Sequence, residues 1–176
     1  MKRAIIILTT LLLSKYSFGQ KDNTLFLKLS FDSVVIYDFG GQPEDEIMSI
    51  LQSNGKLSWS VKKSNKLDTE TAKIFTQLLE EPNSYSSSFA TCFEPHLGVI
   101  YYYFNKPIAY IDICLKCNKM FSNLTFKAQL RPKHDSKNGE YYALEGLSKT
   151  FRKEIYTLLV KYNFSHQITE LTAFDK

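Results

Sequence analysis

The chain has 176 residues, of which 44% are hydrophobic and 23% are charged, and its formal net charge is +4. This length is typical of one ordinary domain that buries its own hydrophobic core. Three of the 22 basic residues, Lys2, Arg3 and Lys15, lie in an N-terminal segment that we expect to be removed, which leaves 19 basic residues against 18 acidic ones. A charge balance so close to neutral does not favour an acidic partner, so we expect no binding to nucleic acid.

Residues 1–19 have the organisation of a signal peptide. Basic residues precede an apolar run of ten residues, Ala4 to Leu13, which is too short for a bilayer span of about 20 residues. Ser17-Phe-Gly19 places small residues at a cleavage site before Gln20. We therefore predict a signal peptide over residues 1–19 and a single domain over residues 20–176. The protein is then periplasmic or secreted, without stable membrane insertion after cleavage.

The first part of the predicted domain contains short elements. Residues 21–41 alternate in hydrophobicity and include the β-branched run Val34 to Tyr37, which predicts a strand that ends at Gly40-Gly41. Ile47, Ile50 and Leu51 have helical spacing, so residues 44–53 predict a short helix. Trp59 and Val61 indicate another short strand.

Two helices have clear start signals. Asp68 or Thr69 can cap a helix with Ala72, Phe75, Leu78 and Leu79 on its apolar face, and the helix ends at Glu81-Pro82. A loop is predicted over residues 85–88. Ser148 is the expected cap of a second helix, whose apolar stripe consists of Phe151, Ile155, Leu158, Leu159 and Tyr162.

The strongest strand signal is a hairpin over residues 97–115. We predict a two-residue turn at Asn105-Lys106, so that Phe104 pairs with Pro107 and Leu97 pairs with Cys114. In this register the core face carries Ile100, Tyr102, Phe104, Ala109, Ile111 and Ile113. The opposite face is rich in tyrosine and is a candidate binding face made of Tyr101, Tyr103, Tyr110 and Asp112.

The remaining pattern completes the predicted fold. Leu124, Phe126 and Ala128 alternate, which predicts a further strand, and residues 131–140 predict a polar loop. Helices interspersed with antiparallel strands indicate the α+β class. We therefore expect a single domain in which two main helices pack on an antiparallel sheet with a central hairpin.

All three cysteines of the chain lie near the open end of this hairpin. Cys92 and His96 precede the first strand, and Cys114 and Cys117 follow the second in the motif Cys-Leu-Lys-Cys. In the predicted register Cys117 is opposite Glu94 and Cys114 is next to His96 in space. The four side chains are therefore expected to be close enough for a cross-link or a metal site.

Five interpretations of this cluster remain open, and the simplest is that the thiols are reduced and are buried or incidental. An exported domain favours a structural disulfide from Cys92 to Cys114 or to Cys117. Three thiolates and an imidazole also match a tetrahedral zinc site, so zinc is the one cofactor that we consider. Thiol–disulfide chemistry at Cys114 and Cys117 is a further interpretation, although a redox C-x-x-C motif usually begins a helix. A thiol hydrolase would pair a cysteine with His96 and use Asp112 or Glu94 to orient it.

The same residues resemble a group of small exported bacterial proteins of uncharacterised function. The resemblance rests on Cys92-Phe-Glu-Pro-His96 and on Ile113-Cys-Leu-Lys-Cys-Asn118, and the patterns of the group are C-[FY]-x-P-x-H and I-C-x-x-C-[NG]. It covers about residues 67–164. The resemblance implies that the cysteine segment belongs to a shared architecture, and it implies no activity.

The sequence has no glycine-rich phosphate loop, no nucleophile elbow and no H-E-x-x-H motif. We therefore expect a non-enzymatic binding domain of the immunity-factor or inhibitor kind, with a structural Cys/His cluster and a protein partner in the cell envelope. The alternative is a zinc-binding or thiol-redox protein that uses Cys92, His96, Cys114 and Cys117.

Overall fold

A five-stranded antiparallel sheet forms the centre of the protein. The structure, a computed structural model, describes residues 29–40, 48–86, 89–130, 134–136, 139–141 and 144–165. In these ranges the strands are β1 (Ser33–Asp38), β2 (Lys63–Lys66), β3 (Tyr85–Ser86), β4 (Leu97–Tyr103), β5 (Lys106–Cys114), β6 (Lys119–Ser122), β7 (His134–Ser136), β8 (Gly139–Tyr141) and β9 (Gly146–Leu147). The helices are α1 (Thr69–Glu80) and α2 (Lys149–Lys161), with 3₁₀ turns at Pro82–Ser84 and Lys127–Gln129.

The central sheet has the strand order β2-β1-β4-β5-β6, and every neighbouring pair is antiparallel. Two small two-stranded sheets, β3-β9 and β7-β8, complete the described strands. This architecture confirms the predicted α+β class with an antiparallel sheet and two helices.

Both helices begin at the predicted capping residues. The Asp68 carboxylate accepts the backbone N–H of Thr71 at 2.8 Å, and the Ser148 hydroxyl accepts that of Phe151 at 3.3 Å. These bonds satisfy amide groups that the first helical turn leaves without partners. Helix α1 ends at Glu80, and its C-cap residue Glu81 lies directly before Pro82, where the sequence predicted the end of the helix.

The main hydrophobic core lies between the two helices and one face of the sheet. Leucine, isoleucine and aromatic side chains of α1 and α2 pack there against alternate residues of the strands, which are Val34, Ile36, Leu97, Val99, Tyr101, Ala109, Ile111, Ile113 and Met120. The opposite face carries a smaller core of Tyr37, Phe39, Ile50 and Ile100. No helix covers this second core in the described ranges; residues of the irregular segment 48–61 pack on it.

The predicted hairpin exists, but its predicted register is wrong. The turn is formed by Phe104 and Asn105, with φ of 48° and 61°, as in a type I′ turn. Leu97 pairs with Ile113 and Tyr101 with Ala109, and Ile108 is the extra residue of a bulge before Tyr102 pairs with Pro107. A shift of one residue moves a strand's side chains to the other face. Val99 and Tyr101 therefore face the helices, whereas Ile100 and Tyr102 face the second core.

Other predicted elements also differ from the structure. Trp59 lies in a turn and the strand follows it as β2. Phe126 precedes a 3₁₀ turn, while the strand of this region is β6. The predicted loops contain β3 and the β7-β8 hairpin. Residues 48–53 are not helical, and the predicted signal peptide, the beginning of the first strand region and residues 44–47 lie outside the described residues.

Candidate functional site: a cluster of three thiols

The C-x-x-C motif lies in the turn between β5 and β6. Strand β5 ends at Cys114, β6 begins at Lys119, and these two residues pair across the turn. The backbone N–H of Asn118 bonds to the carbonyl of Leu115 at 3.3 Å, and Asn118 has a positive φ of 53°. Asparagine tolerates this conformation better than most residues. Cys117 therefore follows a strand rather than beginning a helix.

Helix α2 anchors this turn through a buried arginine. The Arg152 guanidinium donates to the carbonyl oxygen of Leu115 and, at 3.1 Å, to Oδ1 of Asn118. The Asn118 amide in turn donates to the carbonyl of Leu147 at 3.0 Å. Asn118 is fully buried, so its backbone conformation is held by contacts on several sides.

The segment before β4 lies beside the same turn. The N–H of Ala90 donates to the carbonyl of Cys117 at 2.9 Å, and the Lys119 ammonium donates to the carbonyl of Thr91 at 3.1 Å. Further along, the N–H of His96 donates to the carbonyl of Ile113 at 3.2 Å. These bonds bring Cys92 next to Cys117.

Cys117 is the central residue of the three thiols. Its backbone N–H donates to Sγ of Cys114 at 3.1 Å, and its side chain is the hydrogen-bond partner of both Cys92 and Cys114. Cys114 and Cys117 are each only 1% exposed, whereas Cys92 is exposed, and all three are thiols in this structure. The predicted proximity of the cysteines is therefore observed, with Cys92 beside Cys117.

Their surroundings disfavour the thiolate form of two of these groups. Contact with the Cys117 side chain raises the pKa of the Cys92 thiol, and desolvation acts in the same direction. Burial raises the pKa of Cys117, against the opposing hydrogen bonds from Cys92 and from the backbone N–H of Glu94. A catalytic cysteine needs a lowered pKa. This environment therefore does not activate Cys92 or Cys117 as the nucleophile of a hydrolase.

The fourth predicted member, His96, packs against a different part of the chain. Its Nδ1 lies 3.2 Å from the carbonyl oxygen of Phe39, and its Nε2 lies 3.8 Å from the Glu94 carboxylate. Among the described residues, no three Cys, His, Asp or Glu side chains converge closely enough to hold a metal ion. The contacts that the structure gives for the His96 ring are with Phe39 and Glu94 rather than with the three cysteines.

The residues of the predicted binding face do not share one surface. Tyr101 lies in the main core, where its hydroxyl is 3.0 Å from that of Thr76. Asp112 is buried on the opposite face and accepts the N–H of Ile50 at 2.8 Å. Tyr110 is half-buried, and Tyr103 is exposed at the hairpin tip. The change of register is the reason for this separation.

An aromatic patch next to Cys92 was missed by the sequence analysis. We use this name for Phe89, Phe93, Lys119 and Phe121. The rings of Phe93 and Phe121 are 4.5 Å apart, and the Lys119 ammonium lies 5.0 Å from the centre of the Phe89 ring. The sequence places Phe89 and Phe93 on either side of Cys92, and this spacing could have indicated an aromatic surface there. Their contacts with Lys119 and Phe121 of β6, however, follow only from the tertiary structure.

Comparisons with protein-family models, curated proteins and solved structures give no match for this chain. The sequence also departs from the first pattern of the group it resembles, because Pro95 directly precedes His96 with no residue between them. No helix of the described residues is both long and apolar enough to cross a membrane. The function must therefore be argued from the site.

Proposed function

We propose that this chain is an exported binding domain, of the immunity-factor or inhibitor kind, which contacts a protein partner through the aromatic patch. The carrying observation is the exposure of this patch: Phe89 is 40% and Phe121 is 43% exposed. Aromatic residues are enriched among those that dominate binding energy at protein interfaces. A surface pocket of about 230 Å³ lies at the patch, lined also by Met120, Gln129 and Leu144.

The thiols support this surface. A disulfide between Cys92 and Cys117 ties the segment that carries Phe89 and Phe93 to the turn that leads into β6. Such a bond stabilises by constraining the unfolded chain, typically by about 2–4 kcal/mol. The cross-link then presents the patch in one conformation before a partner arrives, which reduces the entropy lost on binding.

A pair of double variants tests the proposal. Phe89→Ala/Phe121→Ala removes the patch, and Tyr103→Ala/Phe104→Ala removes an equal number of exposed rings at the hairpin tip, which are 4.5 Å apart. Tagged mature proteins are used to capture partners from envelope extract, and affinity for the recovered partner is then measured. We expect the patch variant to lose at least about tenfold in affinity and the tip variant to bind normally.

Two results would contradict the proposal. One is the absence of any stoichiometric partner for the wild-type protein, and the other is a loss of affinity in the tip variant alone. Circular dichroism and thermal unfolding of both variants exclude misfolding as the cause of a loss.

Zinc binding by Cys92, His96, Cys114 and Cys117 is the alternative function. The observation that supports it is the proximity of the three sulfurs. Native and denaturing mass spectrometry with metal analysis on one sample separates the two. One bound zinc with fully reduced thiols supports the metal site. A loss of two hydrogens without metal supports the disulfide.

A further inference from the structure

We propose that the three thiols form a disulfide-exchange site in which Cys117 is the common sulfur of two alternative bonds, Cys92–Cys117 and Cys114–Cys117. Exposed Cys92 is the point at which this site reacts with disulfides outside the protein. The proposal does not depend on the binding role of the aromatic patch, because it concerns the covalent chemistry of the thiols alone.

The arrangement of the sulfurs carries this inference. The Cys117 side chain is the hydrogen-bond partner of both Cys92 and Cys114, and its backbone N–H lies 3.1 Å from Sγ of Cys114, so both other sulfurs are neighbours of Cys117. A disulfide uses two sulfurs, and the third remains a thiol beside the bond. Exchange requires attack of a thiolate on a disulfide sulfur, and a third thiol in contact with the central sulfur is placed for that attack.

The initial oxidation takes place at Cys92, because Cys114 and Cys117 are each 1% exposed. The oxidant is a low-molecular-weight disulfide such as oxidised glutathione. The Cys92 thiolate attacks one of its sulfurs, forms a mixed disulfide and releases one glutathione thiolate, which takes up a proton. The Cys117 thiolate then attacks Sγ of Cys92 and releases the second glutathione. Overall, two protein thiols are oxidised and one disulfide is reduced to two thiols.

The exchange step itself needs no oxidant. The Cys114 thiolate attacks Sγ of Cys117, the Cys92–Cys117 bond breaks, and Cys92 leaves as a thiolate that takes up the proton lost by Cys114. The product has a Cys114–Cys117 bond within the turn that Arg152 holds. Cys92 is then free, and the segment that carries the aromatic patch is no longer covalently tied to β6.

The acidity of the thiols sets the rate of the chemistry. Because the pKa values of Cys92 and Cys117 are raised, only a small fraction of each is thiolate at neutral pH. Oxidation by glutathione, in which these two thiolates are the attacking groups, is therefore slow at neutral pH, and its rate should rise about tenfold per pH unit below the thiol pKa. This behaviour suits a site that holds an oxidation state rather than one that turns over rapidly.

Single serine variants of the full mature chain test the proposal. Each protein is equilibrated with reduced and oxidised glutathione, quenched with acid, alkylated, and digested at low pH for disulfide mapping. We expect both bonds in the wild-type protein and only Cys92–Cys117 in Cys114→Ser. In Cys92→Ser we expect only Cys114–Cys117, formed more slowly than either wild-type bond, because the exposed thiol is absent and glutathione reaches the two buried thiols only when the turn opens locally. In Cys117→Ser we expect no internal disulfide and a glutathione adduct that persists on Cys92 at least about tenfold longer than in Cys114→Ser, because the resolving thiol is absent.

Other outcomes overturn the proposal. A Cys92–Cys114 bond in Cys117→Ser would show that Cys117 is not the common sulfur. A wild-type protein with Cys92–Cys117 alone at every glutathione ratio would show a fixed structural disulfide. If Cys117→Ser does not fold, Cys92→Ser and Cys114→Ser still decide the question, because each retains Cys117 and must form its own single bond.

Discussion

The two faces of the central sheet are covered in different ways. Helices α1 and α2 cover one face and form the larger core, in which the sheet residues are aliphatic or aromatic. The other face is covered by irregular chain; among the described residues its core consists of four side chains, and the carboxylate of Asp112 is buried there as well. Cys114 lies on this second face, two residues after Asp112.

The two coverings bury different kinds of side chain. The helix-covered face is packed mainly by apolar side chains of the two amphipathic helices, and its buried polar groups, such as Thr76 and Arg152, are hydrogen-bonded. The loop-covered face buries the Asp112 carboxylate, which accepts the N–H of Ile50 from the irregular segment above it, and Cys114 lies on the same face. Four predictions test how far the two faces differ.

The largest effect is expected from Phe151→Ala on the helix-covered face. Phe151 is fully buried between the rings of Phe75 and Tyr85, and its removal leaves a cavity that costs about 3–5 kcal/mol. Denaturant unfolding measures this loss. Phe104→Ala is the matched control, because this ring is 73% exposed and its loss should cost less than about 1 kcal/mol. Equal losses in the two variants would contradict the assignment of the core.

A smaller effect is expected from Arg152→Ala. The native arginine connects helix α2 to the turn that contains the thiols. Without the guanidinium, the carbonyl of Leu115 and the amide oxygen of Asn118 lose a buried donor, at a cost of about 2–3 kcal/mol. We also expect faster alkylation of Cys117, because the turn is released. Arg152→Lys should restore part of both properties. An unchanged alkylation rate of Cys117 would show that this arginine does not hold the thiol site in place.

A pH-dependent effect is expected from Asp112 on the loop-covered face. Burial raises the pKa of this carboxyl from 3.8 to about 6, although the N–H of Ile50 opposes the shift. The native state therefore holds the proton more tightly than the unfolded chain does. Its contribution to stability is fully present below pH 3.8 and is lost as the pH rises to about 6.

Asp112→Asn checks this prediction. The shift corresponds to roughly 2–3 kcal/mol, and the asparagine keeps an acceptor for Ile50 without a charge. The free energy of unfolding is measured for both proteins between pH 3.5 and 7, and the wild-type value is subtracted from the variant value at each pH. The contributions of the other carboxyl groups cancel in this difference. We expect the variant to gain stability relative to wild type as the pH rises from about 4 to 6. A constant difference would show that Asp112 does not titrate in this range.

The smallest effect is expected from Gly40→Ala, also on the loop-covered face. Gly40 has φ of 141°, and an added Cβ would lie 2.1 Å from Nδ1 of His96. We expect a loss of about 1–3 kcal/mol from backbone strain and overlap. In a His96→Ala background the overlap is gone, so the same change should cost less. An identical cost in both backgrounds would show that strain alone is responsible.

The sequence predicted those parts of the protein whose signals are local. The caps Asp68 and Ser148 lie directly before their helices, and each bonds to an amide three residues later, so the short-range pattern is sufficient. The proximity of Cys92 to Cys117 was also predictable, because a hairpin brings the two sides of its open end together whichever of two adjacent registers it adopts.

The hairpin register could not be predicted in this way. A turn at Phe104-Asn105 requires a positive φ at a phenylalanine, which the residue disfavours. The carboxylate of Asp32, 72 residues away, accepts the N–H of Phe104 at 2.6 Å and stabilises this turn. On the opposite sides of β4, Tyr101 bonds to Thr76 on α1 and the Tyr102 hydroxyl lies 2.6 Å from that of Tyr37. These distant contacts favour the observed register.

The sequence by itself determined the α+β class, the two capped helices, the hairpin and the gathering of the cysteines, because each depends on residues that are near one another in the chain or on hydrophobic periodicity. Only the tertiary structure decided which tyrosines are buried, where His96 points and which sulfur is central. Those outcomes depend on a shift of the hairpin register by one residue and on contacts between segments that are distant in the chain. The two registers differ in free energy by only a few hydrogen bonds, which local sequence patterns do not reveal.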